Sequence, residues 1–147
     1  MKQVDFYLIG NQVADAKYKL ASRLANKLQS MDQTALLVTD TMDDCSALDR
    51  VMWSFSDASF LAHELINDSD DSSNFVIAQL DSVSAQVLEK KYDVLVNLST
   101  QAPDFSQQFG RIAEVVEHDE EAKTAARKRY KSYQSEGFEL KMHQIEL

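Results

Sequence analysis

The chain has 147 residues, of which 44% are hydrophobic and 27% are charged. A chain of this length and composition is expected to form a single domain, residues 1–147, with a core that needs no disulfide. The formal net charge is −9 at pH 7, which disfavours tight non-specific binding to nucleic acid or anionic lipid, because such binding depends on a surplus of cations.

The first half of the chain alternates short apolar strands with amphipathic helices. The first strand ends at Gly10-Asn11, a turn signal, and the second is followed by hydroxyl and carboxyl side chains that suit a helix N-cap. The next helix carries acidic residues in its first turn, where the helix dipole favours them. The predicted elements are a strand at 4–9, a helix at about 13–31, a strand at 35–38, a helix at about 43–55 and a brief extended segment at 59–63.

The second half begins after a polar loop at 67–74. Its central strand, 93–98, is apolar at successive rather than alternate positions, which indicates a strand covered on both faces. The last helix ends before Gly137, a residue type suited to the position just past a helix end. The predicted elements are strands at 75–78, 93–98 and 112–116, helices at about 83–90, 104–109 and 119–136, and an edge strand at 138–142.

This order predicts an α/β fold with three layers, in which an open, mostly parallel sheet carries helices on both faces. Nucleotide-binding folds of this kind use clustered glycines that let the backbone approach phosphate. The glycines here, at 10, 110 and 137, are scattered, so the sequence predicts such a fold without the nucleotide site. Asn97 and Ser99 fall at the carboxyl end of the central strand, where open sheets place ligands, although polar residues that satisfy the loop backbone are the more frequent case.

The residues that would carry catalysis or hold a metal form no recognisable pattern. His63-Glu64 begins like a zinc-protease helix, but residue 67 is Asn rather than a second His. The acids within 68–71 resemble the start of a calcium loop, but Ser73 replaces the required Gly. The sequence therefore predicts no catalytic residue, no metal and no cofactor, and it leaves open an enzyme whose site forms only in space.

The apolar runs and the cysteine content of the sequence indicate where the protein resides. No apolar run approaches the ~20 residues of a membrane span, and the start of the chain lacks the apolar stretch of a signal peptide, so we expect a cytoplasmic protein without membrane contact. Cys45, the only cysteine, agrees with a reducing compartment, and its expected role is a small buried residue.

Trp53 has two interpretations: a core residue, or a half-exposed anchor for another protein.

The last predicted helix has the most distinctive charge pattern. Five of the fifteen Lys and Arg residues lie between 123 and 131, and Lys123, Arg127 and Lys131 have the i, i+4, i+8 spacing that aligns them on one face beside Tyr130. Such a row suits a short acidic peptide with an apolar end, because Arg can bind a carboxylate while the ring packs a side chain. Two alternatives stay open: a solvated charged face, and direct binding of single-stranded nucleic acid.

Five groups of residues in order cover nearly the whole chain: Phe6-Tyr7-Leu8; Leu48-Asp49 with Met52-Trp53; Ser59-Phe60-Leu61-Ala62-His63; Asp93-Val94-Leu95-Val96-Asn97-Leu98 with Pro103 and Phe105; and Ala126-Arg127-Lys128-Arg129-Tyr130-Lys131-Ser132-Tyr133 with Gly137-Phe138. As a set they resemble the chi subunit of bacterial DNA polymerase III. The resemblance implies a non-catalytic adaptor in DNA replication. One implied partner is psi, which forms a one-to-one heterodimer with chi and ties it to the clamp loader. The other is the acidic, Phe-ended tail of single-stranded DNA-binding protein, so that contact with DNA is mainly indirect.

The resemblance places the tail pocket on the last helix and its flanks. It implies that Arg127 holds a carboxylate, while Lys123 and Lys131 hold the aspartates of the tail. Tyr130 and Val116 would hold the terminal ring. The full implied set is Val116, Lys123, Arg127, Tyr130, Lys131 and Gly137.

The resemblance implies a second surface, at which psi or a repair helicase would bind. It corresponds to the region around Trp53, Phe60 and His63. The chain departs from the family here, because it has Ala62 where the family often has Pro. That departure bears on the shape of this surface and on its assignment.

Overall fold

The computed structural model describes residues 2–54, 64–65 and 74–147. Within these residues, seven strands form one sheet in which every neighbouring pair is parallel. The strands are β1 (Gln3–Ile9), β2 (Ala35–Thr39), β3 (Glu64–Leu65), β4 (Phe75–Gln79), β5 (Val94–Asn97), β6 (Arg111–Val116) and β7 (Glu139–Ile145). Their order is β3-β4-β2-β5-β6-β1-β7, which confirms the predicted open α/β sheet and places the first and last strands side by side.

Helices and short turns connect these strands. The elements are α1 (Ala16–Ser30), α2 (Met42–Ser54), α3 (Ala85–Leu88) and α4 (Glu120–Ser135), with 3₁₀ turns at Leu80–Ser82 and Ser106–Gln108. Within the described ranges, no helix has both the length and the apolar character that a membrane span requires.

Some boundaries differ from the prediction. Helix α1 begins at Ala16 rather than at about 13, because Asp15 has a left-handed φ of 57° that a right-handed helix cannot include. The helix predicted at 104–109 is only a 3₁₀ turn, and the edge strand predicted at 138–142 continues to Ile145, because it pairs with β1 along its whole length. Three predictions fall wholly or partly outside the described residues: the helix end at 55, the extended segment at 59–63 and the polar loop at 67–74.

The sheet is covered on both faces by two separate clusters of apolar side chains. In β5, Val94 and Val96 belong to the cluster that includes α1 and α2, whereas Leu95 belongs to the cluster that includes α3 and α4. Side chains alternate between the two faces of a strand, so apolar residues at successive positions cover both faces. The three-layer prediction made from the central strand is confirmed.

Asn97 and Ser99 serve the backbone at the carboxyl end of β5. Both side chains are buried. The Asn97 side-chain oxygen accepts hydrogen bonds from the Ser99 N–H at 3.0 Å and from its hydroxyl at 2.6 Å, and the Asn97 amide donates to the Gln101 carbonyl at 3.0 Å. These bonds satisfy the turn after the strand, which is the more frequent of the two roles considered for such residues.

Two residues singled out on α2 have opposite surroundings. Cys45 is fully buried, as predicted, and its Sγ lies 3.0 Å from the Thr39 hydroxyl. Trp53 is 51% exposed, and its indole N–H donates to Asp49 Oδ1 at 3.1 Å. The interpretation of Trp53 as a core residue is therefore wrong, because about half of the side chain is exposed to solvent.

A buried ion pair joins α4 to the sheet. Glu114 on β6 is fully buried and Arg129 on α4 is 5% exposed, and Arg129 Nε donates to Glu114 Oε1 at 2.8 Å. The Tyr133 hydroxyl and the Asn97 amide donate to Oε2 at 2.5 and 2.8 Å. Burial raises the pKa of Glu114, although the charge of Arg129 opposes this, and burial beside Glu114 raises the pKa of Tyr133. Three donors thus satisfy one carboxylate in the interior.

Replacing Arg129 with Met is expected to destabilise the fold. The variant would leave Glu114 buried without its cation, and removing one partner of a buried pair costs about 3–5 kcal/mol. Urea denaturation should show this as a lower free energy of unfolding. Lys128→Met is the matched control, since Lys128 is exposed on the same helix, and equal stability of the two variants would contradict the role assigned to the pair.

A second polar cluster holds the edge strand from the other face of the sheet. Asp5 on β1 is 2% exposed, and its Oδ1 lies 2.8 Å from His143 Nε2 on β7. Gln3 donates to both Asp5 oxygens at 3.0 Å, and Arg111 Nε donates at 3.4 Å. The Tyr7 ring stacks on His143 with centroids 4.8 Å apart. Burial alone would raise the pKa of Asp5, but these hydrogen bonds and the charge of Arg111 outweigh it, so the pKa lies below its ordinary value of 3.8.

The stability of the protein should therefore depend on Asp5 in acid. A carboxyl whose pKa is lowered by folding stabilises the fold above its ordinary pKa, and this contribution is lost as the pH falls through the folded-state pKa. Free energies of unfolding measured from neutral pH down to about pH 2 should fall less steeply for Asp5→Asn than for the unaltered protein. The exposed Asp104 supplies the control variant Asp104→Asn, and identical profiles for the two variants would refute the assignment.

Candidate functional site

Helix α4 has well-defined ends. Two acidic residues occupy its first turn, where the positive end of the helix dipole favours them. At the other end, the Phe138 N–H donates to the Tyr133 carbonyl at 3.1 Å and the Gly137 N–H donates to the Gln134 carbonyl at 3.2 Å, which is the Schellman pattern. Gly137 has a φ of 90°, which glycine adopts at little cost. The chain then enters β7, so α4 and β7 are held close together.

A groove of about 530 Å³ lies beside α4 at the edge of the sheet, and we call it the α4–β7 groove. Its volume is in the range of sites that enclose a small ligand or a few side chains. Its lining consists of Lys123, Ala126, Arg127, Tyr130 and Lys131 from α4; Phe6, Leu8, Ile9 and Gly10 from β1 and the turn after it; Glu117 and His118 after β6; and Met142 and Gln144 from β7.

The cations of the groove are only weakly engaged by the chain itself. Lys123 Nζ lies 3.9 Å from an oxygen of Glu120, and such exposed pairs contribute little. Within the described part of the chain, Arg127 and Lys131 have no ion pair, and both are exposed. Their charges therefore face solvent and can meet an anionic ligand.

The apolar surface of the groove is built around two rings. Phe6 is 1% exposed, and its ring centroid lies 5.6 Å from that of Tyr130. Phe6 also packs against Tyr133, with centroids 6.2 Å apart and planes at 64°. Tyr130 is half-buried, so Phe6 supports the ring while part of it remains open to the groove. A cationic row therefore stands beside an apolar surface, which suits a ligand with both carboxylates and an apolar group.

Four of the six residues implied for the tail pocket line this groove: Lys123, Arg127, Tyr130 and Lys131. Val116 is not part of the lining; it is 1% exposed and belongs to the core cluster against which Tyr130 packs. Gly137 is exposed at the end of α4, and it is also absent from the lining. Of the second implied surface, Trp53 is described, whereas Phe60 and His63 lie outside the described residues.

Sequence reasoning missed the part of the groove that comes from β1 and β7. Phe6 and Met142 are direct neighbours in the β1–β7 pairing, and both line the groove. The strand at 138–142 was predicted, but its partner was not, because nothing local in either strand specifies the pairing. Arg129 was counted with the other cations of its helix, yet its guanidinium points into the core.

Gly10 stands where nucleotide-binding folds place a phosphate-binding glycine, after the first strand. Here its N–H donates to the Ile145 carbonyl at 2.8 Å, and a Cβ at this position would collide with the Glu146 side chain. The Glu146 carboxylate is the end of an exposed, flexible side chain that can move aside, so the backbone hydrogen bond is the contact that joins Gly10 to the end of β7. Among the described residues, no group of three or more His, Cys, Asp or Glu side chains is placed to hold a metal ion, and the acids at 68–71 lie outside them.

Comparison with known proteins identifies the family of this chain. The family described as "DNA polymerase III chi subunit, HolC" matches residues 1–141. This chain belongs to that family. Similar proteins include the DNA polymerase III subunit chi of Pseudomonas aeruginosa, which is 30% identical over 145 residues covering 99% of this chain and 98% of the relative. The subunit chi of Escherichia coli is 27% identical over 145 residues, covering 95% and 96%, and that of Haemophilus influenzae is 24% identical over 144 residues, covering 98% of both chains.

Family membership makes this chain a subunit of the replicative DNA polymerase III and an accessory protein of DNA replication. The resemblance identified from ordered segments of the sequence is confirmed. The matched range contains all of α4 and stops just before Met142.

Proposed function

We propose that this chain is a non-catalytic adaptor of the DNA polymerase III holoenzyme that acts in the bacterial cytoplasm. In this proposal, the α4–β7 groove binds the acidic, Phe-ended tail of single-stranded DNA-binding protein, and a surface around Trp53 binds psi of the clamp-loader complex. The observation that carries the proposal is the alignment of Lys123, Arg127 and Lys131 beside Tyr130 along one groove. Membership of the chi family supports it.

The groove offers separate partners for the two kinds of group in such a tail. Arg127 can donate two parallel hydrogen bonds to a carboxylate, and Lys123 and Lys131 can each meet a further acid one turn away. Tyr130 offers part of its ring to an apolar side chain, since Phe6 supports it from below. Val116 supports the same core and so acts on the ring indirectly, and Gly137 acts by shaping the turn into β7.

Direct binding of single-stranded DNA is the competing use of the same cations. Such binding uses open aromatic faces on which bases stack, whereas Tyr130 is half-buried and tilted by 44° against Phe6. The net charge of −9 also disfavours it. A bare oligonucleotide that bound as tightly as the peptide, with a steep dependence on salt, would favour this alternative.

Replacing Arg127 with Ala is expected to weaken binding of a short acidic peptide ending in Phe by about 1–3 kcal/mol, because a charge-assisted hydrogen bond is lost. Fluorescence anisotropy with a labelled peptide measures the change. Lys128→Ala is the matched control, because Lys128 is exposed on the same helix but does not line the groove. Equal weakening by both variants would indicate general attraction rather than a defined contact, and would overturn the proposal.

Replacing Trp53 with Ala is expected to reduce binding of psi and to leave binding of the acidic peptide unchanged. Large aromatic residues on a surface often dominate the affinity of an interface, with losses of about 2 kcal/mol or more on truncation. Trp53 is on α2, remote from the residues of the groove. Titrating the variant with psi tests the expected loss of affinity, and titrating it with the peptide tests the expected absence of change. Loss of peptide binding would show that the two surfaces are not separate.

A further inference from the structure

Met142 on β7 is an exposed apolar residue of the groove. Met142 is 55% exposed, the highest value among the exposed large hydrophobic residues of the described part of the chain. It lies on the edge strand, and its side chain lines the α4–β7 groove. Exposed apolar side chains that belong to a groove mark sites of contact with a partner more often than isolated ones do.

The strand pairing sets the position of Met142 relative to the two rings. Met142 is the direct partner of Phe6 in the β1–β7 ladder, and residues opposite each other on neighbouring strands present their side chains on the same face. Phe6 in turn contacts Tyr130, with centroids 5.6 Å apart. The buried Phe6 therefore lies next to both Tyr130 and Met142, which are the parts of this apolar lining that remain open to solvent.

Charge is distributed unequally between the two sides of this surface. The three cations of the lining, Lys123, Arg127 and Lys131, all come from α4, whereas β7 contributes the uncharged Met142 and Gln144. The lining also contains the acid Glu117, which follows β6 and pairs with Lys17 at 3.6 Å. A ligand that satisfies both sides must turn its carboxylates toward α4 and an apolar side chain toward β7. A ligand with carboxylates alone would leave the β7 side in contact with water.

We infer that Met142 is a specificity-determining residue of the groove, which selects ligands whose apolar end is aromatic. This inference rests on the proposed function and adds a residue of β7 to the recognition of the terminal ring. A thioether makes favourable contacts with the edge of an aromatic ring, and its flexible chain adapts to the shape of the ring. Tyr130 and Met142 then hold the ring between them, while Arg127 holds the carboxylate.

The structure separates this role from a role in folding. The position of β7 depends on contacts that Met142 does not make. His143 bonds Asp5 on the opposite face of the sheet, and Asn11 makes two hydrogen bonds to the Leu147 backbone, at 2.8 and 3.0 Å. A change at Met142 leaves these contacts in place, so the variants are expected to melt at the same temperature as the unaltered protein.

The test uses the full chain with labelled acidic peptides that end in Phe, Leu or Ala. Met142→Ala should weaken binding of the Phe-ended peptide about three- to tenfold and leave binding of the Ala-ended peptide unchanged. Met142→Leu should retain most of the affinity for the Phe-ended peptide. Met31→Ala is the matched control, because Met31 is 49% exposed but does not line the groove. Melting temperatures of all variants are measured in parallel.

The outcomes separate this inference from the proposed function. If Met142→Ala binds the Phe-ended peptide as tightly as Met31→Ala does, or loses equal affinity for all three peptides, the role of Met142 is overturned. In that case, weaker peptide binding by Arg127→Ala would still support the proposed function. If the unaltered protein binds none of the peptides, the role of Met142 and the proposed function are both wrong.

Discussion

The ion pair between Arg129 and Glu114 is the interaction on which the proposed binding surface depends. Apolar contacts are non-directional, so they position a helix on a sheet less exactly than a buried, hydrogen-bonded ion pair does. The guanidinium, bonded to a carboxylate in the middle of β6, fixes the rotation of α4 about its axis, because any other orientation would leave a buried charge unpaired. Tyr133, one turn later, donates to the same carboxylate and fixes the second half of α4.

This rotation decides which side of α4 meets the groove. With Arg129 turned inward, Arg127 and Lys131 are exposed and Tyr130 lies half-buried against Phe6. The same helix therefore contributes one cation to the core and three to a surface on which a ligand can bind. The edge strand β7 completes that surface, and because it lies at the end of the sheet the groove stays open to solvent on one side.

The fold has the parallel sheet and three layers of nucleotide-binding proteins, with a different strand order, and the Gly, Asn and Ser residues at its strand ends bond to the chain itself. The Gly10 N–H, in the first turn after β1, donates to the Ile145 carbonyl at the end of β7. Asn97 and Ser99, at the carboxyl end of the central strand, bond to each other and to the turn that follows. The proposed binding site is instead the α4–β7 groove, which reaches the carboxyl ends of β1 and β6 through Ile9, Gly10, Glu117 and His118.

The sequence by itself determined the order of six strands, β1, β2 and β4 to β7, and of the four α-helices. It also determined the buried central strand, the membership of the chi family and the row formed by Lys123, Arg127 and Lys131. These features follow from side-chain periods within single elements or from ordered segments along the chain. Only the tertiary structure decided that Arg129 points inward, that Val116 is covered, that Trp53 is half-exposed and that Met142 lies beside Phe6. The physical reason is that helical and strand periods fix relative directions within an element, whereas burial and pairing depend on contacts between elements that are distant in sequence.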